Sequence, residues 1–95
     1  MSYRLDPKDP QEIKDYAIDW ADLLAGEDEV GLATSTWSVP TGLTKVSDVI
    51  DGTRAVIWLA GGTAGQQYEL TNHIVTDSAT PRTHERTILI PCKEL

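Results

Sequence analysis

The sequence predicts an all-β fold in which two sheets pack as a sandwich. Six or seven short segments with strand character follow one another, with turn signals roughly every ten residues. Helices and strands do not alternate convincingly, and internal repeats and low-complexity tracts are absent from the sequence. At 95 residues, the chain has room for one domain with a single modest core.

The first residues are expected to stand apart from this domain. Pro7 and Pro10 interrupt a polar stretch and disfavour regular structure there. We therefore expect an extended, partly ordered acidic arm over residues 1–9 and a single β-sandwich domain over residues 10–95.

Two periodicities compete in residues 10–26. A helix is favoured slightly by local signals, with Asp9 as N-cap, Glu12 as capping-box partner and Gly26 as terminator. Its apolar stripe would be Ile13, Ala17, Trp20 and Leu24.

The alternative for the same residues is a strand followed by a short helical turn over residues 21–25. Tyr16, Ile18 and Trp20 would then face inward, and Asp15 and Asp19 outward. Periodicity alone leaves both structures open.

Alternation resumes in residues 32–39, where Trp37 lies at the centre of the predicted inward row and Leu32 on the opposite face. That inward row is Ala33, Ser35, Trp37 and Val39. A proline-glycine turn over residues 40–42 leads to a second short strand over residues 43–50. The pair Asp51-Gly52 then predicts a two-residue hairpin turn.

Residues 54–76 predict the hairpin at the centre of the fold. Residues 55–60 are apolar and uncharged, as in a strand covered on both faces or nearly so, and glycines at 61, 62 and 65 predict a tight or bulged turn. Strict alternation follows, with Tyr68, Leu70, Asn72 and Ile74 on one face. A polar loop over residues 77–82 and a last strand over residues 83–91 complete the prediction, with Pro91 marking its end.

Composition excludes several classes of protein. A net charge of -7 and a pI near 4.5 oppose binding to nucleic acid or to an anionic membrane. Cys92 is the one cysteine, so no intrachain disulfide is expected, and the sequence contains neither a signal-peptide pattern nor a membrane-length apolar run.

The negative charge is concentrated at one end. Residues 1–29 contain nine acidic and three basic residues, whereas residues 30–95 contain six and five. A solubilising face explains this distribution. The functional hypothesis is that the arm docks on a basic surface of a neighbouring protein, in which case deletion of residues 1–9 should weaken that association.

Three sequence runs carry a resemblance to a known family. They are DYxIDW at residues 15–20, STWSVP at 35–40 and WLAGGTAGxxYxLTNxIxT at 58–76. Their order and spacing resemble small virion proteins of tailed bacteriophages described as fibre–tail adaptors or connectors. The resemblance spans almost the whole chain but departs at DSATPR, residues 77–82, where a glycine-containing turn is usual.

The resemblance implies an immunoglobulin-like antiparallel β-sandwich of six to eight short strands, and it favours the strand over the helix at residues 15–20. It implies a structural virion protein with no catalytic residues to carry over, and we expect neither a metal site nor a cofactor. Other phage structural proteins are the expected partners, a symmetric homo-oligomer is possible, and nucleic acid and membrane are not expected. The expected location is the virion of a phage or prophage, after synthesis in the host bacterial cytoplasm.

Chemical sites are weakly indicated by the residues themselves. His73 and His84 fall on neighbouring predicted strands, with His73 expected opposite Arg86, so two surface histidines are favoured over a metal site. The acids Asp19, Asp22, Glu27, Asp28 and Glu29 lack the spacing of a calcium loop. GGTAG lacks the Lys-Ser/Thr ending of a phosphate loop, so a turn is favoured. A serine nucleophile is not indicated, because no GxSxG motif is present. Cys92 lies beside the chain end, which does not favour a cysteine nucleophile.

Two functions from different classes follow. The first is a non-enzymatic adaptor that binds neighbouring tail or head subunits. The alternative is an immunoglobulin-like recognition module for carbohydrate or cell surfaces, which should expose clustered aromatic residues in its loops. The predicted loops contain none.

Overall fold

The computed structural model describes residues 2–4, 8–26, 31–78 and 80–93, with the backbone alone for residues 2–4. The described elements are β1 (Ser2–Arg4), β2 (Lys14–Asp19), α1 (Ala21–Gly26), β3 (Leu32–Ser38), β4 (Leu43–Asp51), β5 (Arg54–Gly61), β6 (Gln67–Thr76) and β7 (Thr83–Pro91). None of the described helices is long and apolar enough to cross a bilayer.

The strands form two sheets that enclose one core, which confirms the all-β sandwich. One sheet has the order β1-β7-β6-β3 and the other has the order β2-β5-β4. Neighbours are antiparallel except for β1, which pairs parallel with β7. The orders β2-β5-β4 and β7-β6-β3 agree with strands B-E-D and G-F-C of an immunoglobulin-type sandwich. The immunoglobulin-like assignment itself stays a prediction.

Residues 14–26 form a strand and then a helical turn, as the resemblance predicted. Tyr16, Ile18 and Trp20 are buried in the core, while Asp15 and Asp19 are exposed. Asp19 ends the strand, and its carboxylate accepts a hydrogen bond from the N–H of Ala21 at 2.9 Å, which starts α1. Burial of alternate side chains between the two sheets therefore outweighs the local signals that favour a helix.

The predicted central hairpin is wrong. β5 lies between β2 and β4 in one sheet, whereas β6 lies between β3 and β7 in the other. Since both edges of β5 are occupied, β6 cannot pair with it, and the glycine-rich connection crosses from one layer to the other. Gly61, Gly62 and Gly65 all have positive φ, as expected, but this conformation serves a crossover and not a hairpin turn.

Two bulges change which side chains share a face. A register shift in β3 between Leu32 and Thr34 places both Leu32 and Trp37 in the core, although their spacing predicts opposite faces, and it leaves Ala33 exposed. A second shift in β4 lies between Lys45 and Ser47. The nearby ammonium of Lys45 lies 3.1 Å from the carboxylate of Asp48.

The β4–β5 connection is a two-residue turn one position later than predicted. Asp51 pairs with Arg54, so that Gly52 and Thr53 form the turn, and Gly52 has φ of 63°. The last strand has the predicted bounds, and Pro91 at its end still pairs with Gln67. Near the loop before it, the N–H of Thr76 donates to the carbonyl of Arg82 at 2.8 Å.

A polar contact joins the two layers inside the core. Trp20 follows β2 in the three-stranded sheet and is 1% exposed. Its indole N–H donates to Oδ1 of Asn72, on β6 of the other sheet, at 3.0 Å. Asn72 is fully buried and donates in turn to Oγ of Ser35 at 2.9 Å. The guanidinium of Arg86 covers the Trp20 ring, with 4.4 Å between Cζ and the ring centroid.

Lys8 fixes the N-terminal segment to the sandwich. Its backbone continues alongside β7, with the Lys8 N–H donating to the carbonyl of Pro91 at 2.9 Å. The side chain is 0% exposed, and its ammonium donates to the carbonyls of Asp9, Glu12 and Gly61 at 3.0, 2.6 and 2.6 Å. Three acceptors use all three donors of the ammonium, which makes its burial tolerable. The proposed boundary at residue 9 stays a prediction.

We expect Asn72→Ala to lower the free energy of unfolding by about 2–3 kcal/mol, because the buried indole N–H of Trp20 loses its acceptor. Urea denaturation measures this. Ser35→Ala is the matched control and should cost less than about 1 kcal/mol, since Nδ2 of Asn72 also contacts the carbonyl of Thr36 at 3.3 Å. Equal losses in the two variants would contradict the bridging role of Asn72.

Candidate interaction surface

The outer face of the four-stranded sheet is rich in hydroxyl groups. Thr36, Ser38, Thr71 and Thr87 lie on it, and the hydroxyls of Thr71 and Thr87 are 3.0 Å apart. His73 and Glu85 form a cross-strand pair on the same face. These β-branched and polar residues are typical of a strand face in contact with water.

The outer face of the three-stranded sheet has a different character. Val56 in β5 faces away from the core between Ala17 of β2 and Val49 of β4, and Trp58 follows it on the same face. Val56 is 5% exposed, whereas Val49 is 45% exposed and Trp58 is partly exposed. We refer to Ala17, Val49, Val56, Trp58 and Ala60 as the Trp58 face.

Acidic residues border the Trp58 face along β2 and at the β4–β5 turn. Asp15 pairs with Trp58 and Asp19 with Arg54, and both carboxylates are on exposed residues. Asp51 lies at the end of β4, with 3.7 Å between its Oδ2 and Nη1 of Arg54. These described positions give three acids and one base. The Lys14 ammonium lies elsewhere, 5.7 Å from the centroid of the Tyr16 ring.

The pKa of Asp19 is lowered from its ordinary value of 3.8. The main cause is the hydrogen bond from the N–H of Ala21, followed by the hydrogen bond from the hydroxyl of Thr53 and the charge of Arg54. Asp19 thus stays ionised and connects the start of α1 to the β4–β5 turn.

The two histidines point to different faces of the same sheet. Ile74 pairs with His84 and His73 pairs with Glu85, one residue away from the predicted pairing with Arg86. His84 packs near Trp20, with ring centroids 6.4 Å apart, whereas His73 lies on the outer face. The two imidazoles therefore do not converge on a common ion.

The acidic candidates are dispersed where they are described. Asp19 uses its carboxylate for Ala21 and Thr53, and Asp22 is exposed on α1. Glu27, Asp28 and Glu29 lie outside the described residues. In the described part of the chain, no group of three metal-ligating side chains is found together.

The GGTAG segment and Cys92 form a structural contact. The N–H of Gly65 donates to the carbonyl of Cys92 at 2.8 Å, and the N–H of Thr63 donates to the hydroxyl of Tyr68 at 2.9 Å. The Cys92 thiol is buried against Gly62, where an added Cβ would lie 2.8 Å from Sγ. The close approach of the backbone to sulfur explains the glycine at position 62.

The Trp58 face was missed by sequence reasoning. Residues 55–60 were expected to be covered on both faces or nearly so, because no charge interrupts them. In the structure the second face of β5 is only partly covered. The signal was present in the neighbouring strands, since Asp15, Asp19 and Ser47 are polar residues that a covered face would not tolerate.

A comparison with protein families identifies the relationship that the sequence runs suggested. A family model described as podophage GP4 fiber-tail adaptor protein gp77 matches residues 8–91, a span that includes β2 to β7. The chain belongs to this family. The fibre–tail adaptor family is structural, so the chain is a structural component of a bacteriophage tail. A search of curated proteins finds no match.

We expect Trp58 to dominate the quenching of tryptophan fluorescence by acrylamide, because Trp20 and Trp37 are buried. Trp58→Phe should remove most of the quenchable emission, whereas Trp37→Phe should leave it unchanged. Relative to their quenching of free N-acetyltryptophanamide, caesium should quench Trp58 more efficiently than iodide, since the bordering acids attract cations and repel anions. Equal relative quenching by the two ions would contradict the acidic border.

We expect Asp19→Asn to destabilise the protein near neutral pH and to have little effect well below pH 3.8. The folded-state pKa is lowered, so stabilisation by the carboxylate is present above the unfolded value and is lost as the pH falls through the folded-state value. Urea denaturation of both proteins across this pH range measures the difference. A pH-independent difference would show that charge is not the cause.

Proposed function

We propose that this chain is a non-enzymatic adaptor of a tailed-phage virion that joins fibre to tail by binding neighbouring structural subunits. The observation that carries the proposal is the family match over residues 8–91. The match includes the strands of both sheets and is not confined to one motif, which supports the use of the whole sandwich in the same structural role.

The placement of the reactive side chains supports a role without catalysis. The imidazoles of His73 and His84 lie on opposite faces of one sheet, and the Cys92 thiol is buried beneath a turn. Nucleophilic catalysis needs the nucleophile within hydrogen-bonding distance of the base that activates it. The described histidines and cysteine do not meet that requirement.

The charge supports protein partners over nucleic acid. A net charge of -7 disfavours a phosphate backbone, whereas it suits a protein surface that carries basic residues. We propose that the partners are phage structural proteins, that neither nucleic acid nor membrane is bound, and that several copies can form a symmetric oligomer. Synthesis in the host cytoplasm and incorporation into the virion complete the proposal.

Particles assembled without this chain should lack stably attached fibres, because the joint between fibre and tail is missing. Purified wild-type protein added to them should restore fibre attachment, counted by electron microscopy. Particles that carry a normal fibre complement without the chain would contradict the adaptor role.

A further inference from the structure

We propose that the Trp58 face is the surface through which this chain docks on a virion subunit whose own apolar patch is bordered by lysine or arginine. This inference rests on the proposed adaptor function and names the surface and the chemistry of its partner. It uses the three-stranded sheet, which lies on the opposite side of the sandwich from the hydroxyl-rich face.

The two outer faces of the sandwich differ in the side chains that they present. Thr36, Thr71 and Thr87 lie on the outer face of one sheet, whereas apolar Val49, Val56 and Trp58 lie on the outer face of the other. The same core and chain length support both faces, so stability of the sandwich does not require an aromatic and two valines outside it. Trp58 is partly exposed, with Val56 and Ala60 along its own strand and Asp15 and Ser47 beside it on β2 and β4. Tryptophan is enriched at the centres of binding surfaces.

The backbone beneath the Trp58 face is held rigidly, which also favours binding. Trp58 and Val56 belong to β5, which is hydrogen-bonded on both sides to β2 and β4. Ile57 and Leu59, which alternate with them, are both 0% exposed in the core. Docking therefore needs little ordering of the backbone, and less of the binding free energy is lost to conformational entropy.

Acidic residues surround the apolar centre of the Trp58 face. Asp15 lies directly beside Trp58, and Asp19 and Asp51 lie around Arg54. Two copies of this chain that met through this face would bring acidic borders together, which disfavours a second copy as the occupant. A partner with basic residues at matching positions gains electrostatic attraction instead.

This surface also relocates the charge hypothesis suggested by the sequence. That hypothesis placed the docking charge in residues 1–9, but Lys8 is buried and Ser2–Arg4 pair with β7. Among the described residues, the acids that border the Trp58 face belong to β2 and to the β4–β5 turn.

The experiment uses purified particles that lack this chain and fluorescently labelled purified variants of the full-length protein. Binding is measured as labelled protein that cosediments with the particles, over a range of protein concentration and salt. We expect Trp58→Ala to weaken binding about 10- to 100-fold. Val49→Lys and Asp15→Lys should also weaken it, because each places a positive charge opposite basic residues.

Matched controls come from the other outer face. Leu89→Ala truncates a partly exposed apolar side chain, and Glu85→Lys makes the same kind of charge reversal on an exposed strand residue. Both should bind as the wild type does. Val49 and Asp15 are exposed, so their variants should retain the wild-type thermal unfolding transition and separate docking from folding.

Wild-type binding should weaken with rising salt, and Asp15→Lys should reduce that dependence. If the wild type binds but Val49→Lys and Trp58→Ala bind equally well, the docking surface is wrong while the adaptor function stands. The same conclusion follows if the Glu85 and Leu89 variants lose as much affinity. If the wild type does not bind to the particles, the adaptor function and the docking surface both fail.

Discussion

The hydrogen bond from Trp20 to Asn72 sets the relation between the two layers of the sandwich. Apolar contacts between sheets are non-directional, and they alone permit several ways of stacking one sheet on the other. A buried indole N–H and a buried amide have to meet in one register, because either group would be costly without its partner. The cover provided by Arg86 keeps this bridge out of water.

Once the stacking is fixed, each sheet presents a defined outer surface. The hydroxyl-rich sheet face presents polar side chains, whereas the Trp58 face combines an apolar centre with an acidic border. The difference matters for an adaptor, which must stay dissolved before assembly and still have one surface that gains by leaving water. In the part of the chain that the structure describes, both properties come from the outer faces of the two sheets.

Residues with strict alternation were predicted well, because burial on one face leaves a period of two in the sequence. Tyr68, Leu70 and Ile74 are examples, and β7 has its predicted bounds. The pairing of strands within a sheet could not be predicted from this periodicity, since β5 and β6 are adjacent in sequence but lie in different sheets. The bulge that returns Leu32 to the core depends on tertiary packing, as does the exposure of Trp58. The family resemblance decided between strand and helix at β2, where local signals favoured the wrong one.

The bulge in β4 affects how readily the protein polymerises through the edge of its three-stranded sheet. β4 is an outer strand of nine residues with Val46, Val49 and Ile50 exposed, a combination that invites edge-to-edge polymerisation. The break in register between Lys45 and Ser47 and the ion pair of Lys45 with Asp48 interrupt the straight ladder that another chain would need. The irregular edge of β4 thereby opposes strand-to-strand polymerisation of the protein in solution.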